Sequence, residues 1–267
     1  MLVAAVQLCS TDDLAENLKR ARDLVAVGKA RGAELVCLPE NFAYMRREGS
    51  ALPCAQDLDG SIVRFLRELA QSQRVWLLGG SFPETIVGDR RVHNTSVLIA
   101  PDGKLEAVYR KIHLFDVDLG SAGGGAFRES DTFAAGSEVV VADTPFGGLG
   151  LSICYDLRFP ELYRALTSRG AELIAVPSAF TPQTGRDHWE VLLRARAIES
   201  QAFVIAPAQC GQHSPDRASH GRSMIVDPWG LVIAQAGDRP DVIVASCDLD
   251  AVSRVRRAIP ALQNRRL

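Results

Sequence analysis

Lysine is scarce in this chain: Lys19, Lys29, Lys104 and Lys111 are its only four, and arginine is otherwise the basic residue. A compact ammonium and a planar guanidinium are not interchangeable, so each lysine position carries information. An excess of one charge sign is missing too. Thirty basic residues against 32 acidic ones leave a formal net charge of −2, which removes the electrostatic case for nucleic acid. Arg254, Arg256, Arg257, Arg265 and Arg266 cluster in the tail, where they read as a solvated helix face or a subunit contact. No apolar run approaches the roughly 20 residues of a membrane-spanning helix. The six cysteines (9, 37, 54, 154, 210 and 247) form no C-x-x-C pair, so neither a disulfide framework nor a structural zinc site is expected. Residues 2–8 lack the basic lead and cleavage site of a secretory signal and read as a first strand. A soluble, reducing, cytoplasmic setting is the expectation.

What the chain does have is apolar substance in a regular order. Its 267 residues are 47% hydrophobic, enough for one large core. Helical periodicity runs from Asp12 to Arg31 and from Ser61 to Ser72, with strands predicted at 34–38 and 75–80. A hairpin follows, from Asn94 to Ala100 and back to Tyr109 around Pro101-Asp102-Gly103. The same order then recurs. Arg31-Gly32-Ala33-Glu34-Leu35-Val36-Cys37-Leu38-Pro39-Glu40 matches Arg169-Gly170-Ala171-Glu172-Leu173-Ile174-Ala175-Val176-Pro177-Ser178, and Ser96 to Gly103 matches Ser223 to Gly230. Between these lie a predicted helix (His188 to Gln201) and strand (Phe203 to Ala208). Two matched segments in one order indicate an internal duplication. Each half would form a mixed sheet with helices on one face, and pairing the bare faces gives a single α/β domain, a four-layer α-β-β-α sandwich over residues 1–267.

Strand ends are where open α/β sheets build their sites. Leu149 to Ile153 reads as a buried strand stopping at Cys154, with a helix restarting at Pro160, whose missing N–H costs nothing in a first turn. A cysteine at such a corner lies near backbone N–H groups that stabilise a thiolate; a buried structural thiol is the commoner fate of a lone cysteine. The duplication sets Glu40 and Ser178 at equivalent strand ends and pairs Cys9 with Cys154. Glu40, partly desolvated there, suits a general base. Lys111, between bulky neighbours, suits an oxyanion or a thiolate. A Cys–His dyad with His113 or His188 is the alternative. Gly150-Leu151-Ser152-Ile153-Cys154 is one residue short of a serine-hydrolase elbow and would bury Ser152. Ser121 to Gly125 lacks the lysine of a phosphate-binding loop, and no cofactor is expected.

Leu38-Pro39-Glu40, Tyr109-Arg110-Lys111 and Ile153-Cys154-Tyr155-Asp156-Leu157-Arg158-Phe159-Pro160-Glu161 together resemble the nitrilase superfamily of carbon–nitrogen hydrolases. The resemblance spans essentially the whole chain. It implies the four-layer sandwich, a metal-free catalytic triad on Glu40, Lys111 and Cys154, a further site glutamate at Glu129, and a homodimer or larger assembly. Segments 184–199, 208–211 and 226–230 are most similar to the amidases of deaminated glutathione, with the omega-amidases as the sister group. That implies a small amide substrate bearing carboxylates. Arg158 is the favoured partner for one of them, over Arg194 and Arg196, with Ser178 also facing substrate and the Tyr155 N–H serving the oxyanion. The Gly-rich stretch 121–125 departs from the proline-containing loop of that group.

Overall fold

Neighbouring residues of one strand fall into two different apolar clusters, and that period of two sets the layers. In β1 (Leu2–Gln7), Val3 and Ala5 pack with Leu149 and Leu173, whereas Ala4 and Val6 pack with Ala21, Val25 and Val63. β2 (Leu35–Cys37) repeats this, with Leu35 and Cys37 on the first side and Val36 on the second. Successive side chains point to opposite faces of a sheet, so one face meets a second sheet and the other meets helices.

The computed structural model describes residues 1–47, 49–120 and 125–266. In the first half α1 (Leu14–Ala30), α2 (Ser61–Gln73), β3 (Trp76–Leu78), β4 (Phe82–Thr85), β5 (Val92–Ile99) and β6 (Leu105–Arg110) complete the set. A short antiparallel pair, β7 (Asp116–Asp118) and β8 (Ala126–Arg128), leads to the second half. There the order is β9 (Val141–Thr144), β10 (Gly147–Leu151), α3 (Pro160–Ser168), β11 (Ala171–Ala175), α4 (Pro182–Ser200) and β12 (Phe203–Ala206). The pair β13 (Cys210–Ser214) and β14 (Arg217–His220) follows, then β15 (Met224–Val226), β16 (Val232–Gln235), β17 (Asp241–Ser246) and α5 (Leu249–Ala258).

The duplication is visible as strand order. One sheet runs β17-β1-β2-β3-β5-β4, with β6 also on β5; the other runs β16-β15-β12-β11-β10-β9. In each, three parallel strands (β1-β2-β3, β10-β11-β12) are flanked by antiparallel ones. The two sheets pack face to face with helices outside, the four-layer α-β-β-α arrangement of mixed sheets. Register then places the chemistry. Ala5, Cys37 and Leu78 share one row, and Leu151, Ala175 and Ile205 share another. Glu40, Cys154 and Ser178 each lie three residues beyond such a row.

Most expected boundaries shift by a residue or two, and that of α4 shifts furthest. α4 begins at Pro182, not at His188, because Thr181 caps it by accepting from the Thr184 N–H and Pro182 fills the first turn. His188 therefore lies in the second turn and opens nothing. Residues 121–124 of the Gly-rich stretch lie outside the described residues.

Candidate active site

Three segments bring the site together. Lys111 follows β6 directly, its N–H bonded to the Asn94 carbonyl at 2.9 Å and its own carbonyl accepting from Gly136 at 2.8 Å. Glu40 follows β2, and its carbonyl is held from the other half of the chain by Gln209 Nε2 at 2.9 Å. The backbone beneath it passes so close to Gly80 that a Cβ there would lie 2.1 Å from the Pro39 oxygen, at a φ of +53°. Only glycine leaves Glu40 where it is. Cys154 opens the 3₁₀ turn Cys154–Arg158 at the end of β10, with a φ of +49°. A left-handed backbone at a non-glycine residue costs on the order of 1–3 kcal/mol and persists where the surroundings impose it.

The surroundings that impose it centre on Asp156, which is fully buried. Its Oδ2 accepts from the Tyr109 hydroxyl at 2.6 Å and the Ile153 N–H at 2.8 Å. Its Oδ1 accepts from the His113 N–H at 3.0 Å and lies 2.7 Å from the His113 ring Nδ1. One carboxylate thus ties the residue preceding Cys154 to residues on both sides of Lys111.

At the centre is a buried ammonium between two carboxylates. Lys111 Nζ lies 3.1 Å from Glu40 Oε1 and 2.9 Å from Glu129 Oε2, with Lys111 2% exposed. Burial alone would depress its pKa, but Glu129 and Glu40 outweigh that and hold it well above the usual lysine value, so the ammonium stays charged. Glu129 is fixed further by the Phe115 N–H at 2.6 Å. Asn94 Nδ2 joins the two carboxylates, 2.9 Å from Glu40 Oε1 and 3.4 Å from Glu129 Oε1. Cys154 lies beside the Glu40 carboxylate, the Lys111 ammonium and the Ala179 backbone. Burial and then the Glu40 charge raise its pKa well above the ordinary thiol value, with Lys111 opposing. The resting group is a thiol, and it needs a base.

Glu40, Lys111, Glu129 and Cys154 open into a cavity of about 100 Å³, lined also by Tyr155, Phe180 and four arginines, Arg46, Arg128, Arg158 and Arg217. Ser178 is not among its walls: its hydroxyl turns back to the Val176 carbonyl at 3.0 Å and is fully buried, while the next residues, Ala179 to Thr181, line the cavity. The pseudosymmetry that paired Ser178 with Glu40 holds for the strand end and not for the side chain. Arg194 and Arg196 serve the fold, on Gly230 and Leu157 carbonyls at 2.9 Å each. Arg158 is in the cavity, over the rings of Phe180 (5.4 Å) and Tyr155 (5.8 Å). Neither histidine of the alternative dyad lines the cavity; His113 is held by Asp156 and stacked at 3.7 Å on Phe159, and His188 Nδ1 meets Arg158 at 3.2 Å. Ser152 is buried, bonded to the Ala175 carbonyl at 2.8 Å.

Asn94, Asp156, Arg46, Arg128 and Arg217 were not singled out from the sequence. For Asn94 a signal existed, since His93-Asn94-Thr95-Ser96 puts polar residues mid-strand in β5.

The carbon–nitrogen hydrolase family model matches residues 2–257. The chain belongs to the carbon–nitrogen hydrolases. Within that nitrilase superfamily it is 46% identical over 267 residues to a Synechocystis protein named deaminated glutathione amidase, covering 99% of this chain and 97% of the relative. The human protein of that name is 42% identical over 270 residues, covering 99% and 82%. The crystal structure of the Caenorhabditis elegans NitFhit protein superposes with a TM-score of 0.91 at 41% identity, covering 99% of this chain and 65% of that one. As a member of the family, this carbon–nitrogen hydrolase acts on C–N bonds other than peptide bonds. No helix among the described residues is long and apolar enough to cross a membrane.

On β13, His213 is buried with its ring Nδ1 2.8 Å from the Ser10 carbonyl and Nε2 2.8 Å from Ser219 Oγ. A neutral ring satisfies both, donating to the carbonyl and accepting from the hydroxyl. Burial, with the nearby Arg217 charge, lowers its pKa to about 4. Folding therefore favours the neutral ring, and that stability, about 3 kcal/mol, is present above pH 6.5 and lost as pH falls toward 4. His213→Gln should flatten the loss of stability across that window, measured by urea unfolding at a series of pH values.

Proposed function

We propose that this carbon–nitrogen hydrolase is a deaminated glutathione amidase, splitting the 2-oxoglutaramyl peptide into 2-oxoglutarate and cysteinylglycine. The observation that carries this reading is a buried thiol, carboxylate and ammonium opening into a cavity with four arginines, a nucleophilic centre in a setting for an anionic amide. Relatives of that name match over nearly the whole chain.

Glu40 accepts the Cys154 proton as the sulfur attacks the amide carbonyl carbon. The oxygen that becomes negative is held by the Lys111 ammonium and the Tyr155 N–H. As the C–N bond breaks, Glu40 returns its proton to the departing amine, leaving an acyl thioester on Cys154. Glu40 then takes a proton from water, whose oxygen attacks the thioester; collapse breaks the C–S bond, releases 2-oxoglutarate and restores the thiol. Glu129 keeps Lys111 charged and oriented throughout. Arg158 pairs with the carboxylate of the 2-oxoacyl group. We place the enzyme in the cytoplasm as a homodimer or larger homo-oligomer, as the family resemblance implies.

Steady-state kinetics on deaminated glutathione and on 2-oxoglutaramate test the substrate. A kcat/KM at least about tenfold higher for the peptide, near 1.4 kcal/mol, is expected; a higher value for the free amide would make the enzyme an omega-amidase instead.

A further inference from the structure

We propose that Arg217, set beside Arg46, forms the subsite for the C-terminal carboxylate of the departing dipeptide, and so gives the enzyme its preference for a peptidyl amide over the free amide. The proposal rests on the deaminated glutathione reading and deepens it.

Charge in the cavity exceeds what one carboxylate requires. Four arginines and Lys111 line the cavity together with two carboxylates, Glu40 and Glu129, so its walls hold three more basic than acidic residues. 2-Oxoglutaramate brings one carboxylate; the deaminated tripeptide brings a second, on its glycine.

The arginines also divide by the chain segment that carries them. Arg158 sits four residues beyond Cys154 on the nucleophile's own turn and lies over Tyr155 and Phe180. That is the side on which the acyl group stays bonded to sulfur. Arg46 instead follows Glu40 along the chain, its guanidinium 3.2 Å from Thr132 Oγ1 and over the Phe133 ring at 5.9 Å. Glu40 is the group that hands a proton to the departing amine, so the leaving group lies toward this segment. The glycine carboxylate is two residues from the scissile nitrogen, a reach of roughly 7 Å in an extended chain.

Arg217 is built into that wall. It opens β14, half-buried, and Nη1 donates to the Arg46 carbonyl at 2.9 Å. That bond tethers Nη1 while using one of the guanidinium's five N–H groups, and Arg217 lines the cavity. A planar, oriented guanidinium is suited to bind a carboxylate through two parallel hydrogen bonds. The β13–β14 pair that carries it comes from the second half of the chain, and the Arg46 segment from the first, so the subsite spans the duplicated halves.

Three substrates test this: deaminated glutathione, the same peptide with its glycine carboxylate capped as a carboxamide, and 2-oxoglutaramate. Arg217→Met should lower kcat/KM for the peptide acid by about 10- to 100-fold, the range for a hydrogen-bonded charged group, and leave 2-oxoglutaramate nearly unchanged. Wild-type enzyme should lose a similar factor on the capped peptide, and Arg217→Met should treat acid and amide alike, the signature of a direct pair in a double-change cycle. Equal losses on peptide and free amide would overturn the proposal. So would a wild-type enzyme indifferent to the cap, a result that does not depend on the variant folding. A wild-type enzyme that hydrolyses 2-oxoglutaramate and not the peptide would overturn the substrate reading, and this subsite with it.

Discussion

Glu40→Gln is expected to lower kcat/KM by about 10³- to 10⁴-fold, near the upper range for a positioned general base. The Cys154 pKa lies well above the ordinary thiol value because of burial and the Glu40 charge, so no pre-formed thiolate is available to attack. Glutamine keeps the shape and accepts the Asn94 hydrogen bond, but it takes no proton from the thiol and gives none to the amine. Lys111 keeps its other carboxylate, Glu129, at 2.9 Å, so the buried ammonium is not left unpaired. The fold should therefore survive, and the urea midpoint should stay close to that of the wild type. A histidine base would behave differently: His113→Ala or His188→Ala would abolish acylation while Glu40→Gln spared it. Single-turnover measurements on the three variants separate these outcomes.

Asp156→Ala should produce the largest loss of stability. The carboxylate is fully buried and satisfies the Tyr109 hydroxyl, the Ile153 N–H and the His113 N–H within 3.0 Å. Each buried donor left without an acceptor costs about 1–3 kcal/mol, and a cavity opens beside them. A destabilisation of about 4 kcal/mol or more is expected, large enough to stand outside the ordinary range of single substitutions. It should appear as a shift in urea midpoint at unchanged slope. Asp156→Asn keeps Oδ1 for His113 and should fall between. Since the same carboxylate joins Ile153 to Tyr109 and His113 on either side of Lys111, Asn should lower kcat more than it raises KM; a merely structural loss would leave the folded fraction fully active.

The duplication was legible because two strand–proline segments and two hairpins recur in order, and the structure repeats them as β1-β2-β3-β5 and β10-β11-β12-β15. Cys154 was legible as a strand-to-helix corner, since the apolar run ends there and Pro160 starts the next helix. No spacing in sequence joins residues 40, 111, 129 and 154; only the packing of two sheets brings them within hydrogen-bonding range, and the family resemblance stood in for that packing. Ser178 shows the limit of symmetry: a shared strand end places the backbone, while the rotamer follows the nearest acceptor, here the Val176 carbonyl. α4 started early because its cap, Thr181, precedes an uninformative polar turn. Arg217 was hidden for another reason. Nothing in a surface-like hairpin sequence reveals that it reaches a cavity lined by both halves of the chain.

The central claim is that Cys154 carries the acyl group between two steps governed by Glu40. Acid-quenched wild-type enzyme mixed with saturating deaminated glutathione, digested and weighed by mass spectrometry, measures it directly. A 2-oxoglutaryl thioester on the peptide containing Cys154, with one cysteinylglycine released per acylated subunit, is the expected result. Full turnover by Cys154→Ala, or product formation with no adduct on Cys154 at any quench time, would contradict it.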